Sequence, residues 1–372
     1  MDRCPRSTST PAGAEMFRPA ADPQGMPSVS PTSLAIAKAT LLDSGGWIST
    51  QRVVSPSLLV AGSAACGGAV AAEDHLELVP ERWFFASNPD RTLMRAVLGG
   101  TFYVDPAGWS HDLAARLLDA FVSRVGELPY FTTSRASRWM VADEHTRVAD
   151  LMRGADFALT AVTPDLLELQ VADDPDAPAT GFRCLEPGRS DIPGFVQITL
   201  PLDADAAVLL DLARVIVAEA PVVGGSAGYT FRWAPMVGGN AFDEMYRVTR
   251  RFLGFDLQVP ELWAPLARRH ATTSWLTAVS HHHPDRVGCL EGLEREAEVH
   301  LEPNRSCVLV RAGERPGLGD VNSMQWPEAM ARAAAWMAPL LPKEFPAPPG
   351  LFSEEGAADR WARRLFEVDG WR

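Results

Sequence analysis

The densest run of possible metal ligands is Ser280-His281-His282-His283-Pro284-Asp285-Arg286, which sets three of the chain's eight histidines side by side. Imidazoles hold zinc when two or more converge with a third ligand, often from His-Glu-x-x-His spacing on one helix face. Adjacent side chains do not converge that way. In a strand His281 and His283 share a face, and in a helix no two of the three do. Pro284 also biases His283 away from helical backbone, and His270 and His300 stand alone. The run therefore reads as a loop, with a metal site as the alternative. Loops carry partner contacts and histidine titrates near neutrality, so His281, His282 and His283 are candidate contacts to a partner.

Nucleophilic catalysis finds no Gly-x-Ser-x-Gly elbow. Gly224-Gly225-Ser226-Ala227-Gly228 precedes a strand, so its glycines read as a turn ahead of Tyr229-Thr230-Phe231. Residues 313–322, Gly-Glu-Arg-Pro-Gly-Leu-Gly-Asp-Val-Asn, lack the Gly-Lys-Ser/Thr of a phosphate loop. They read as a rigid turn in which Asp320 and Asn322 bond local backbone, with a backbone-lined ligand site as the alternative. The acidic run Glu291–Glu298 reads as an exposed face. No catalytic, cofactor-binding or metal-binding residue is assigned.

Periodicity supplies the elements that would position these residues. Residues 1–75 read as a flexible, low-complexity segment ahead of a folded region, 76–372. Residues 99–105 have strand composition. They lead to a helix capped by Ser110, with Leu113, Leu117, Ala120, Phe121 and Val125 on its core stripe and Gly126 near its end. Residues 137–143 read as a strand, and 172–181 as a turn-rich acidic loop.

The order then repeats. Residues 194–202 alternate as a strand, Asp203 or Asp205 caps a helix with Val208, Leu212, Val215 and Ile216 on its face, and 222–233 turns through glycines into a strand. A Leu-Leu-Asp sits at a comparable point of each helix, Leu117–Asp119 and Leu209–Asp211, which fits two related strand–helix–strand units, with a chance match as the alternative. Helices are expected over 241–253 and, opened by Pro260, over 260–271. Residues 273–280 read as a strand or a helix-to-strand connection and 306–313 as a strand, with helices after Pro327 and over 354–367. The class is α+β, mainly antiparallel sheet flanked by helices. Two packed lobes, about 76–180 and 181–372, fit this order.

At 372 residues and 47% hydrophobic content the chain has material for a substantial core. A net charge of −13 argues against nucleic acid or an anionic membrane as the partner and favours a basic protein. Five scattered cysteines without a Cys-x-x-Cys pair fit a reducing cytoplasm rather than a disulfide framework. Residues 53–72 are uncharged but interrupted by Pro56 and several glycines, so they read as a linker or partly buried segment. Were they a signal displaced by a misassigned start, a periplasmic binding protein would follow. Unaided, the residues favour binding over catalysis, with a metal-dependent or acid/base enzyme as the rival.

An ordered set of pieces resembles the bacterial type VI secretion immunity proteins. The pieces are GGSAGYTFRWAP (224–235), MYRVTRRFLGFDL (245–257) with Trp263 soon after, SWLTAVS (274–280), Gly288-Cys289-Leu290, and VRAGERPGLGDVN (310–322) before a proline-started helix. GGTFYVD, near 99–105, is similar too, and the resemblance covers roughly 76–345. It implies a cytoplasmic protein without enzymatic activity or cofactor, which binds one cognate toxin delivered by neighbouring cells. Such toxins are often restriction-endonuclease-like nucleases. Of the shared residues, Gly224 and Gly225 would form a turn, Trp233 and Trp275 core packing, and Gly319, Asp320 and Asn322 a fixed loop. A nuclease presents a basic surface to phosphates, which an acidic protein can cover. Asp143-Glu144 and Asp173-Asp174-Pro175-Asp176 are the candidate toxin-binding loops beside the histidines.

Overall fold

Two long strand-forming runs build the centre of the molecule. In the computed structural model the described residues are 76–85, 88–133, 138–142, 148–153, 168–187, 191–234, 238–269, 272–283 and 285–371. The segment 53–72 and the candidates Asp143 and Glu144 lie outside them. Strand β2, Asn88–Val104, is seventeen residues long and buried from Thr92 onward. It pairs on one side with β7, Gly194–Pro201, and on the other with β8, Val222–Trp233. A hairpin partner, β1 (Arg82–Phe85), covers the start of β2.

Outward from β7 come β6 (Gly181–Leu185), β5 (Glu168–Ala172), β3 (Tyr130–Thr133) and β4 (Met140–Val141). Outward from β8 come β9 (Leu276–Ser280), β11 (Cys307–Ala312) and β10 (Val299–Pro303). The result is one eleven-stranded sheet, antiparallel in all its described pairings. Helices flank it, so the expected α+β class holds.

Helix α1, His111–Val125, starts where Ser110 accepts the Leu113 N–H at 3.0 Å and stops at Gly126, whose φ of 89° a side chain would resist. A six-residue helix, α2 (Val148–Arg153), packs against it. Helix α3, Ala206–Glu219, is capped by Asp205 through the Ala207 N–H. Helices α1 and α3 lie against each other, and α3 also meets β2 and β8. The buried stripe of α3 is Leu209, Leu210, Leu212, Ala213, Ile216 and Val217. Val208 and Val215 fall at its margin, because the helix faces both α1 and the sheet.

Helix α4, Gly238–Arg251, follows β8. The helix expected over 260–271 is only one turn, α5 (Pro260–Trp263), before a 3₁₀ turn at Ala264–Leu266. Pro265 explains the break, since it lacks the N–H that an α-helix would use there. Helices α6 (Arg286–Leu293) and α7 (Glu328–Met337) pack together beyond β10 and β11. The final helical region is split into α8 (Ala357–Ala362) and α9 (Val368–Trp371). The strand expected over 137–143 shrinks to the two residues of β4.

One expectation is overturned outright. Gly224 and Gly225 form no turn; both lie inside β8, paired with Tyr103 and Phe102 on one side and with Val279 and Ala278 on the other. Their missing side chains serve close approach instead. A Cβ on Gly224 would overlap the carbonyl of Ala267, and one on Gly225 would sit 2.6 Å from the carbonyl oxygen of Thr101. Ala267 belongs to the segment that crosses this face of the sheet, so Gly224 sets how closely that segment sits. Gly224→Ala is expected to cost about 1–3 kcal/mol of unfolding free energy, measured by urea denaturation.

Candidate functional site

Strand alternation gives the central sheet two unlike faces. The Phe121 ring of α1 meets the Phe182 ring of β6 at 5.8 Å, which places Phe182, Ile198 and the register position of Gly100 on the α1 side. The opposite face carries Arg183, Gln197, Thr199, Thr101, Ser226, Thr230 and Arg232. Thr101, Gln197, Thr199 and Thr230 are buried and the other three partly buried, and several of them bond to one another. Arg232 donates to Gln197 Oε1, Gln197 Nε2 donates to Thr101 Oγ1 at 3.1 Å, and Thr101 donates to Gln258 Oε1 at 3.2 Å. Gln258 Nε2 then donates to the Gly99 and Ser226 carbonyls, each at 3.2 Å.

This chain reports the sheet's curvature. Arg232 stands opposite Arg95, whereas Gln197 stands opposite Thr101, six residues further along β2. A flat sheet would hold those register positions roughly 20 Å apart. The hydrogen bond between Arg232 and Gln197 therefore requires the sheet to curl toward its polar face.

The segment between α4 and β9 covers part of that face. Its Asp256 is fully buried and accepts from Ser226 Oγ at 2.7 Å and Thr272 Oγ1 at 3.2 Å. Burial pushes the Asp256 carboxyl above the usual carboxylate range. Arg364, also fully buried, donates to the carbonyls of Leu253, Phe255 and Trp361, and burial brings its guanidinium down to about 10. At the other end Arg183 pairs with Glu168 at 2.6 Å and with Glu261 of α5, and lies 5.0 Å over the Phe195 ring. Arg232 pairs with no carboxylate among the described residues; burial, then the nearby Arg183 charge, brings it down to about 10. Two narrow clefts open here, one bounded by Thr101, Ser226, Gln258 and Thr272, the other by Arg183, Gln197 and Arg232.

The sequence-predicted residues fall elsewhere. His281 Nε2 lies 2.7 Å from the Asn304 carbonyl, His282 is exposed, and His283 is buried with Nδ1 accepting the Asp285 N–H. Burial lowers the His283 pKa, so one member of the expected loop is a packed residue rather than a solvated one. Among the described residues no group of three His, Cys, Asp or Glu side chains is placed to hold a metal. The acidic loop is largely occupied by its own surroundings. Asp176 takes a two-point bond from Arg91 at 2.6 and 3.0 Å, Asp174 lies 3.5 Å from Arg95, and Asp173 accepts the Thr180 N–H.

Trp275 is fully buried and donates to the Gly313 carbonyl, and Trp233 packs 5.1 Å from Phe242. Asp320 holds its loop by accepting the N–H of Asn322 at 3.0 Å, while Gly319 (φ 61°) tucks under Pro327. Asp320 has a second partner that its sequence neighbourhood did not reveal: Arg251 of α4 grips both carboxylate oxygens, at 3.1 and 2.8 Å. Arg183, Arg232, Gln197 and Gln258 were also missed. Their one legible signal was polar residues at every second position of clear strands, Arg232 with Thr230 and Gln197 with Thr199.

Residues 193–365 match the family described as TsiV, type VI immunity for VRR-NUC. That range contains every piece of the sequence resemblance except the strand near 99–105. Among solved structures, the chain is similar to the Pseudomonas aeruginosa T6SS protein PA0821, with a TM-score of 0.62 and 18% identity over 75% of this chain and 88% of that one. At that identity the likeness shows the fold. No curated protein matches the chain significantly. Among the described residues, no helix is long and apolar enough to cross a membrane.

The Arg251–Asp320 grip yields a pH prediction. Arg251 holds the Asp320 carboxyl below the usual carboxylate range, so its stabilisation is present above the unfolded pKa of about 3.9 and lost as pH falls. Asp320→Asn is expected to cost about 1–3 kcal/mol at neutral pH. That gap to the wild type should narrow below about pH 4, read from denaturant midpoints across the pH range.

Proposed function

We propose that this protein is a type VI secretion immunity protein whose cognate toxin is a nuclease of the VRR-NUC class. The match of residues 193–365 to that immunity family carries the reading. It places Trp263, Trp275, Arg251 and Asp320 within the matched range, where each serves packing or loop anchoring. The neutralising act is binding, by which the immunity protein occludes the toxin's phosphate-binding surface. With a net charge of −13 it is drawn to a basic surface, and such steering speeds association most at low salt.

The proposed contacts are Asp143, Glu144, Asp173, Asp174 and Asp176 with His281 to His283. Because Arg91 and Arg95 already neutralise part of the 173–176 loop, its share of the attraction is smaller than its sequence implies. The protein is expected to act in the cytoplasm, beside the nucleic acid it protects.

Co-expression with a VRR-NUC-type toxin domain from the same genome tests the reading. The expected result is a co-purifying complex, loss of nuclease activity and survival of the producing cell. A toxin that stays fully active in excess of this protein, with no complex by calorimetry, refutes it. For the contacts, Lys at 173, 174 and 176 together should weaken toxin binding about tenfold at low salt and flatten its salt dependence. Unchanged affinity and slope would remove this loop from the interface.

A further inference from the structure

The acidic run that follows the histidines belongs to a surface with an apolar centre of its own. Helices α6 and α7 pack together, and the Trp336 ring of α7 rests on the backbone of α6 at Gly292, where a Cβ would come within 2.2 Å of the ring. Its Nε1 donates to Glu296 Oε1 at 2.9 Å, so the ring is held at two points. It is nevertheless 39% exposed, the most exposed tryptophan among the described residues. One turn back along α6, Gly288 has no atom within 4 Å of its Cβ position, and Val287 beside it is 56% exposed. A bare stretch of helix therefore lies open next to a fixed aromatic ring and an exposed aliphatic side chain.

Carboxylates surround this patch. Between residues 285 and 298 five of them stand against Arg286 and Arg295, an excess of three negative charges. Arg332 of α7 answers Glu296, Glu298 and Glu328. Glu291 and Glu294 stay exposed, with no ion pair among the described residues. They differ in this from Asp174 and Asp176, which Arg95 and Arg91 answer. A rigid aromatic side chain inside a charged rim has the anatomy of a protein interface, and the sign of the rim selects a basic partner. The same sign repels nucleic acid and anionic membranes.

We propose that the outer face of α6 and α7, centred on Trp336 and the bare backbone at Gly288, is the docking surface for the basic face of the toxin. The proposal rests on the immunity reading and deepens it. Trp336 supplies the apolar anchor, already fixed before association, and Glu291 and Glu294 supply the steering charge. His282 is exposed in the loop that leads into α6.

The test measures binding kinetics of the full-length protein on an immobilised VRR-NUC-type toxin domain from the same genome, inactivated at its nuclease site. Gly288→Arg enters open space and replaces a helical glycine, so it should melt no lower than the wild type. It should bind the toxin at least about tenfold more weakly, because it sets bulk and positive charge on the contact. Val287→Lys serves if Gly288→Arg does not fold. Trp336→Ala should lose a similar factor, mainly through faster dissociation. Glu291→Lys should slow association about threefold at low salt, and the same charge change at Asp203, exposed ahead of α3, should slow it less.

Wild-type affinity in folded Gly288→Arg and Val287→Lys overturns the docking surface and leaves the immunity reading standing. A wild-type dimer in sedimentation that Gly288→Arg dissociates, with toxin affinity unchanged, gives the face to a second copy of this chain and also overturns it. A wild type that binds no such toxin domain refutes the immunity reading, and this surface with it.

Discussion

The architecture turns on a sheet whose centre is covered on both sides although one side is polar. Strand β2 is buried from Thr92 to Val104, with Arg95 and Thr101 among its inward residues. A polar group enclosed without a partner costs more than a normal hydrogen bond gains. That asymmetry demands the Arg232–Gln197–Thr101–Gln258 chain, and the chain in turn requires the curl of the sheet. The covering segment follows from the same demand. Gln258 ends the chain on backbone carbonyls, Asp256 answers the Ser226 and Thr272 hydroxyls, and Arg364 caps carbonyls that the segment's irregular backbone leaves free.

The apolar side obeys simpler rules. Helices α1 and α3 each present a stripe to the sheet and to each other, so their cores merge rather than form separate cavities. Phe255 extends the same layer, stacked 4.6 Å on Phe231 of β8, while its neighbour Asp256 points to the polar side. A single extended segment thus seals both faces, because alternation sends adjacent side chains in opposite directions.

The loop after β11 shows how distant pieces of the chain become one unit. Gly254 donates to the Leu318 carbonyl, Arg251 grips Asp320, and Trp275 holds the Gly313 carbonyl. Three stretches separated in sequence, around 251–254, 275 and 313–320, meet at one place. These belong to the pieces on which the family resemblance rests, and their common task is to fix backbone. A protein that neutralises another by binding needs such rigidity, since a surface already in its bound shape loses less entropy on association.

Local signals fixed much of this protein in advance. The Ser110 cap, the Gly126 stop, the α+β order and the proline entries at Pro260 and Pro327 all follow from interactions within a few residues, and each was legible. The acidic balance and the ordered immunity-like pieces were legible too, being properties of composition and order. Gly224 and Gly225 were misread because a glycine that makes a turn and one that admits a close backbone are identical in sequence; only the positions of Ala267 beside Gly224 and of Thr101 beside Gly225 separate them. The histidine run drew attention by proximity along the chain, yet His281 and His283 were claimed by Asn304 and Asp285 after folding. Arg183 and Arg232 drew none, although they line a cleft of the polar face. Burial and pairing of a charge depend on which strands become neighbours, and strand neighbours come from anywhere in the chain. Tertiary structure alone decided those.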